Sequence, residues 1–374
     1  MRHAANIFYL GIKELRSLYR DPVMMIFILF AFSVMVYTAA RGVSQELHNA
    51  SIAVVDEDRS PLSARIINAF YAPYFKLPEI IERTEIDKTM DVGRYTFVLD
   101  IASNFQRNVM AQKPAEIQLN VDATMMSQAF TGATYIQTII GAEMAEFQQG
   151  VRGADSDKIR LITRYKFNPG LNSIWFGGVM EISNMVTMLS IVLTGAALIR
   201  ERERGTLEHL LVMPLNSVEI MLSKVWAMGL VVLVAAGLSL QFVVQGILEM
   251  PIAGSVPLYL FGMAIFLFST TSLGIFLGTV ARTMPQLGLL IILVFMPLQI
   301  LSGGMTPYES MPQLIQTLMW AAPTTHFVSI AQGILYRGAG LDVVWPNLLA
   351  LLGIGLVFFM SALALFRKSL AAAQ

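Results

Sequence analysis

Glu181 is the residue hardest to reconcile with its surroundings. It lies about two helical turns into Ile174–Ile199, a run in which it is the only charge. A carboxylate at the centre of a membrane helix costs roughly 2.5–3.5 kcal/mol on insertion scales, so Glu181 must meet a partner or water, or sit neutral. In the same run Ser183, Thr187, Ser190 and Thr194 recur at i, i+4, i+7 and i+11, one face of a helix. Hydroxyls spaced this way either hold helices together or line a path for polar or amphipathic cargo, and packing is the commoner use. Gln241 and Gln245 form an i,i+4 pair in a second apolar run.

Directly after the first of these runs comes Arg200-Glu201-Arg202-Glu203-Arg204-Gly205-Thr206-Leu207-Glu208. Charges alternate in sign, Gly-Thr interrupts them, and Leu207, Leu210, Leu211 and Val212 follow before Pro214. Thr206 can cap a short helix that presents these apolar residues to a partner. The same charges can instead anchor a helix end among lipid headgroups; composition leaves both readings open. His326 has no second His and no carboxylate at ligand spacing, which makes it a hydrogen-bonding residue and not a metal ligand. Asp56-Glu57-Asp58 and Asp100 lack calcium-loop spacing and read as a solvated strand end.

Enzymatic chemistry finds little support. No G-x-x-x-x-G-K-[ST] phosphate loop, no H-E-x-x-H and no G-x-S-x-G occurs. The chain has no cysteine, which excludes thiolate nucleophiles, disulfides and Cys-ligated metals together. Leu301-Ser302-Gly303-Gly304 spells most of an ATPase signature, but it follows an apolar run on the outer side and reads as a turn. Any driven work must draw its energy from a separate chain or from an ion gradient.

The elements that would position these residues are membrane helices. Of 374 residues 55% are hydrophobic and only 14% charged, against roughly 25% in soluble domains; mean hydropathy is +0.60. A bilayer core about 30 Å thick takes roughly 20 apolar residues as helix. Six runs qualify: Val23–Ala40, Ile174–Ile199, Val225–Leu248, Pro257–Val280, a shorter Leu287–Leu301, and Trp345–Phe366. The first starts too late and runs too long for a cleaved signal peptide. Eleven Lys and Arg lie in the segments that would share one side, against Arg337 alone in the short loops opposite, which predicts both termini in the cytoplasm. Residues 1–22 predict a cytoplasmic interfacial helix with Phe8, Ile12, Leu15 and Tyr19 on one stripe, broken from the first span, 23–40, at Asp21-Pro22. It is either a passive anchor or a lever on a cytoplasmic partner.

Residues 41–171 have ordinary soluble composition, with 14 Lys and Arg and 16 Asp and Glu. Strands at Ser51–Val55, Tyr95–Ile101, Ile117–Val121 and Arg160–Phe167, with helices at Ser60–Tyr71 and Gln128–Gln149, predict a small α/β domain, 41–171, between the first two spans, on the outer side. The remaining residues, 172–374, carry spans two to six, a cytoplasmic loop at 200–224 and an outer segment at 302–344. In that segment Gln313–Ala322 and Thr325–Tyr336 are too short to cross and predict a re-entrant or surface hairpin. Thr270, Gly274 and Gly278 make a small-residue packing face on span four.

This layout resembles the permease subunits of type-2 ABC exporters, in a bacterial drug-efflux-like branch. Glu201–Glu208 is similar to the family's cytoplasmic motif after the second span. Phe167-Asn168-Pro169 is similar to the element entering that span, and Leu301–Pro307 with Pro323–Phe327 to the segment after span five. The resemblance covers essentially the whole chain. It implies a dimer with a second permease copy or homologue, and two separate ATPase subunits that use the ATP, since this chain would bind no cofactor itself. Arg200, Glu201, Glu203, Gly205, Thr206 and Glu208 would couple to the ATPase. Spans two and five would line the path, bringing Phe295 and Gln299 to Glu181, Ser183, Thr187, Ser190 and Thr194. It further implies an amphipathic or drug-like cargo moved outward, a periplasmic adaptor, membrane lipid as a partner and no nucleic acid. The competing reading is a receptor or scaffold whose outside domain binds a ligand and signals inward. An intramembrane hydrolase ranks third, since no nucleophile–base pair is visible.

Overall fold

The computed structural model describes residues 2–42, 49–111, 113–122, 126–152, 173–203, 205, 215–304, 308 and 311–371. Contacts divide the chain into a helical unit, Met1–Val43 with Tyr165–Gln374, and an inserted unit, Ser44–Arg164.

The helical unit opens with α1 (Arg2–Tyr19). Gly11, Glu14 and Leu18, at i, i+3 and i+7, form its buried face, while the stripe Phe8, Ile12, Leu15 and Tyr19 is left half-buried or exposed. Asp21 ends the helix and starts the next. Its carboxylate accepts the Met24 amide at 3.1 Å, and Pro22 occupies the first turn of α2 (Pro22–Phe30), where no amide hydrogen is needed. A π-helical turn, Ala31–Met35, carries α2 into α3 (Val36–Gly42).

The inserted unit is α/β. In order it contains β1 (Ile52–Asp56), α4 (Pro61–Asn68), β2 (Glu79–Ile80), α5 (Ile86–Asp91), β3 (Phe97–Ile101), α6 (Phe105–Met110), β4 (Ile117–Val121) and α7 (Met126–Arg152). The sheet order is β2-β1-β3-β4, with β2, β1 and β3 parallel and β4 antiparallel. The central strands are buried almost throughout, which suits their continuous apolar sequences. Leu62, Ile66, Phe70, Phe75, Phe105 and Ile136 share one core with Ile52, Val54, Phe97 and Leu99; Tyr95 joins Ala53, Val55 and Val98 in another. The acidic strand end is engaged locally. Asp56 accepts the amides of Asp58 and Arg59 and the Ser63 hydroxyl, Asp58 accepts the Gln106 amide, and Arg83 lies 3.5 Å from Glu57 and 3.3 Å from Asp100. The strand expected at Arg160–Phe167 lies outside the described residues.

The helical unit resumes with α8 (Ser173–Glu203), α9 (Ser217–Leu238) with its π-helical extension Ser239–Ile247, α10 (Val256–Val280) and α11 (Met284–Ile300). Then come α12 (Gln313–Trp320), α13 (Pro323–Ala331) with the π-helical turn Gln332–Tyr336, and α14 (Leu341–Ala371). Among the described residues five helical stretches are long and apolar enough to cross a membrane: Pro22–Gly42, Ile174–Glu203, Ser217–Ile247, Val256–Val280 and Leu341–Lys368. Where six were expected, the fifth, α11, has 17 residues and so spans only about 26 Å. The short stretches after it do form separate helices. In α13 Phe327 is fully buried and stacks on Phe266 with ring centres 4.2 Å apart, whereas α12 leaves Leu314, Leu318 and Trp320 exposed. His326 Nε2 lies 2.8 Å from the Trp320 carbonyl and Nδ1 3.0 Å from the Asn347 side chain, a hydrogen-bonding role between α13 and α14.

Helix α10 packs extensively on both α14 and α8. The small residues of α10 let its backbone approach that of α8: a Cβ on Gly274 would overlap Thr194 Oγ1 and stand 2.7 Å from the Ile191 carbonyl, and one on Gly278 would meet the Gly195 carbonyl at 3.0 Å. Dispersion between closely packed backbones is the main attraction left to helices in lipid.

Candidate functional site

Two parts of α8 hold the residues singled out by their chemistry. Along its middle, Ser183, Thr187, Ser190 and Thr194 are all buried. Each hydroxyl donates to a carbonyl one turn back: Ser183 to Val179 at 3.0 Å, Thr187 to Ser183 at 2.7 Å, Ser190 to Thr187 at 3.0 Å, and Thr194 to Ser190. The Ser190 and Thr270 hydroxyls bond at 2.7 Å across to α10. Ser190 and Thr194 meet α10 directly, at Thr270 and Gly274. Glu181 lies on another face with Asn184, Met188 and Val192, all half-buried in this chain. Asn184 donates to the Glu181 carboxylate at 3.2 Å. From α11, Phe295 is buried in an apolar cluster with Ile191, Leu287 and Ile291, and Gln299 is half-buried near the helix end.

The second part is the C-terminal end of α8, where charge is concentrated. Lys224 is 1% exposed, and its ammonium lies 2.9 Å from Glu14 of α1 and 2.7 Å from Glu201 of α8. Lys13 reaches the same Glu201 at 2.9 Å and lies 3.8 Å from Glu14. Two ammonium groups and two carboxylates thus close a neutral cluster that joins α1, α8 and α9. Desolvation makes such a cluster costly to assemble and very sensitive to loss of one member. Burial lowers the affinity of Lys13 for its proton, yet the hydrogen bond to Glu201 and the charges of Glu201 and Glu14 outweigh it and hold the pKa above the ordinary lysine value.

The neighbouring charges are fastened within the chain as well. Arg200 lies 3.3 Å from Asp21, Arg202 donates to the Ala281 carbonyl at 2.6 Å, and Glu203 accepts the Met284 amide at 3.2 Å at the start of α11. Gly205 then terminates α8: its φ is +68°, the left-handed conformation that favours glycine, and its amide bonds the Arg202 carbonyl at 3.1 Å. Thr206 and Glu208, expected to continue the motif, lie outside the described residues. So does Arg204.

Sequence reasoning missed Glu14, Glu219 and Trp226, and took Lys224 for a loop charge. All four bind α1 to α9. Glu219 meets His3 and, at 3.4 Å, Asn6, while its carboxylate also accepts the Asn216 amide to cap α9. The Trp226 indole donates to the Ile7 carbonyl at 3.1 Å, stacks on Phe8, and fills the space beside Gly11, where a Cβ would overlap the ring. A usable signal existed: Glu14 recurs with Gly11 and Leu18 at helical spacing, on the face opposite the solvated charges.

The family profile of ABC-2 family transporter proteins matches residues 23–364. The chain is 58% identical over 370 residues to the inner membrane transport permease YhhJ of Escherichia coli K12, covering 99% of each chain. It is 29% identical over 363 residues to the probable multidrug ABC transporter permease YbhR of the same organism, covering 95% of this chain and 96% of that one. ABC transporter G family member 20 of Dictyostelium discoideum is 24% identical over 373 residues, which is 96% of this chain but 50% of that protein. Membrane-length apolar helices and matches that run nearly end to end agree: the chain belongs to the ABC-2 transporter family and is a multi-pass inner-membrane transport permease.

Proposed function

We propose that this permease is the membrane-spanning subunit of an ATP-driven exporter that moves amphipathic or drug-like compounds outward, with a separate ATPase subunit supplying the energy. The observation that carries the reading is the buried cluster of Lys13, Glu14, Glu201 and Lys224. It makes the end of α8, α1 and the start of α9 one mechanical piece directly before Gly205. Arg200, Glu201 and Glu203 then transmit motion, and Gly205, Thr206 and Glu208 belong to the segment that docks on the ATPase. Both termini and this segment are cytoplasmic, α11 completes six spans, and the inserted unit is periplasmic, where an adaptor can reach it.

Transport needs a path, and the half-buried face of α8 that carries Glu181 supplies one. Glu181, with Asn184 and Met188, faces a second permease copy across the path, and Gln299 lies toward the same end of the antiparallel α11. Ser190 and Thr194 serve packing against α10, and Ser183 and Thr187 bond back to their own helix. The name of the multidrug relative supports cargo of this class. The test is Glu203→Ala combined with Gly205→Pro, because proline fixes φ near −65° and cannot take the observed +68°. Efflux of an amphipathic dye from cells expressing the permease with its ATPase is expected to fall to background at unchanged membrane abundance. Undiminished efflux contradicts the reading.

A further inference from the structure

Where α1 gives way to α2 a cleft of about 660 Å³ opens at the surface. Its wall carries Lys13, Arg16, Ser17, Arg20, Asp21 and Arg200, four cations to one carboxylate. The carboxylate is already engaged, one oxygen with the Met24 amide and the other with Arg200 at 3.3 Å. Lys13 is held by Glu201. Arg16 on α1 and Arg20 in the turn just past its end, four residues apart and both exposed, have no ion-pair partner among the described residues. The cleft therefore carries unspent positive charge, presented by two guanidinium forks of the geometry that grips phosphate oxygens.

What lies beside the cleft defines the rest of the ligand. The first residues of the span that starts at Pro22 are apolar and open: Val23 is 74% exposed and Ile26 67%, with Leu29 and Phe30 following. A phosphate bound by Arg16 and Arg20 would have an uncovered apolar helix running away from it in the direction acyl chains take. Free phosphate has no use for that wall.

We infer that this cleft is a binding site for the phosphate headgroup of an anionic phospholipid, whose acyl chains lie along α2. The site ties the helix that holds the α8 end to the lipid composition of its own leaflet. It rests on α2 crossing the membrane and is independent of the cargo or the ATPase.

The test uses the full-length permease in detergent and native mass spectrometry, with phosphatidylglycerol or phosphatidylcholine titrated at equal concentration. Phosphatidylglycerol is expected to bind in clear excess. Arg16→Gln with Arg20→Gln is expected to weaken that binding about thirtyfold, the scale of two basic side chains at an anionic lipid surface. Arg367→Gln with Lys368→Gln removes equal charge elsewhere and is expected to leave it intact. Equal binding of the two lipids by the unaltered protein overturns the inference without reference to any variant, as does an equal loss in both double variants. Displacement of phosphatidylglycerol by millimolar inorganic phosphate also overturns it, by marking a site for free phosphate. Preferential capture of an acidic protein segment at Arg16 and Arg20, with no lipid preference, does so too, by marking a protein-docking surface.

Discussion

Lys224 concentrates the strongest residue-scale consequence of the structure. It is almost fully buried with two carboxylates, and removing its charge leaves Glu14 and Glu201 to share the single, half-exposed Lys13. Lys224→Ala should cost about 3–5 kcal/mol, the usual penalty for breaking a buried ion pair from one side, read as a fall in melting temperature of the detergent-solubilised permease. Adding Glu14→Gln should recover part of that loss, because contacting residues are not additive. A double variant no more stable than the single would contradict the cluster. Lys13 makes a separate prediction about pH. Its pKa is raised in the folded chain, so its stabilisation is complete below the unfolded lysine value of about 10.4 and declines only as pH rises through the folded value. The melting-temperature gap between the unaltered protein and Lys13→Met should therefore stay constant from about pH 6 to about pH 9, and narrow only in stronger alkali. A gap that closes near neutrality would show that Lys13 is not held by these carboxylates.

Among the elements, α8 and α10 set the spacing of the helical unit, and glycine permits it. Gly274→Val places methyl groups where Thr194 and the Ile191 backbone stand, and overpacking of this kind costs about 1–3 kcal/mol. Gly288 on α11 has open space around its missing Cβ, so Gly288→Ala should be neutral or slightly stabilising, as glycine-to-alanine changes within helices are. Melting curves of the two variants, taken side by side, separate close approach from a general intolerance of larger residues. The spans with uninterrupted apolar sequence were legible, because hydropathy measures the solvent they face. Their ends were not. Hydropathy starts span three at Val225, but α9 starts at Ser217 and carries Glu219 and Lys224 inside. Charges that find partners in a packed helix end look, in a hydropathy window, like charges of a loop. Strand β2 escaped notice for another reason: two exposed residues have no periodicity to read. The hydroxyl spacing on α8 correctly marked one helical face. Which neighbour that face meets depended on the glycines of α10, a pairing that no single segment contains.

At the scale of the whole molecule, the permease combines a helical unit that pairs the charges at the end of α8 internally with an inserted α/β unit. The family relation was legible because short motifs stood in the right order along nearly the whole chain, and the profile spanning 23–364 agrees with them. The kind of partner was legible only through that family relation, since contacts to another chain leave no pattern of their own in one sequence. The central claim is that residues just beyond α8 touch an ATPase. Because the chain has no cysteine, Thr206→Cys introduces a sole thiol there without further engineering. A short thiol-reactive cross-linker added to inverted membranes that retain peripheral subunits should capture one soluble ATPase specifically at this position. Capture of lipid alone, or of the permease's own chain alone, would contradict the account.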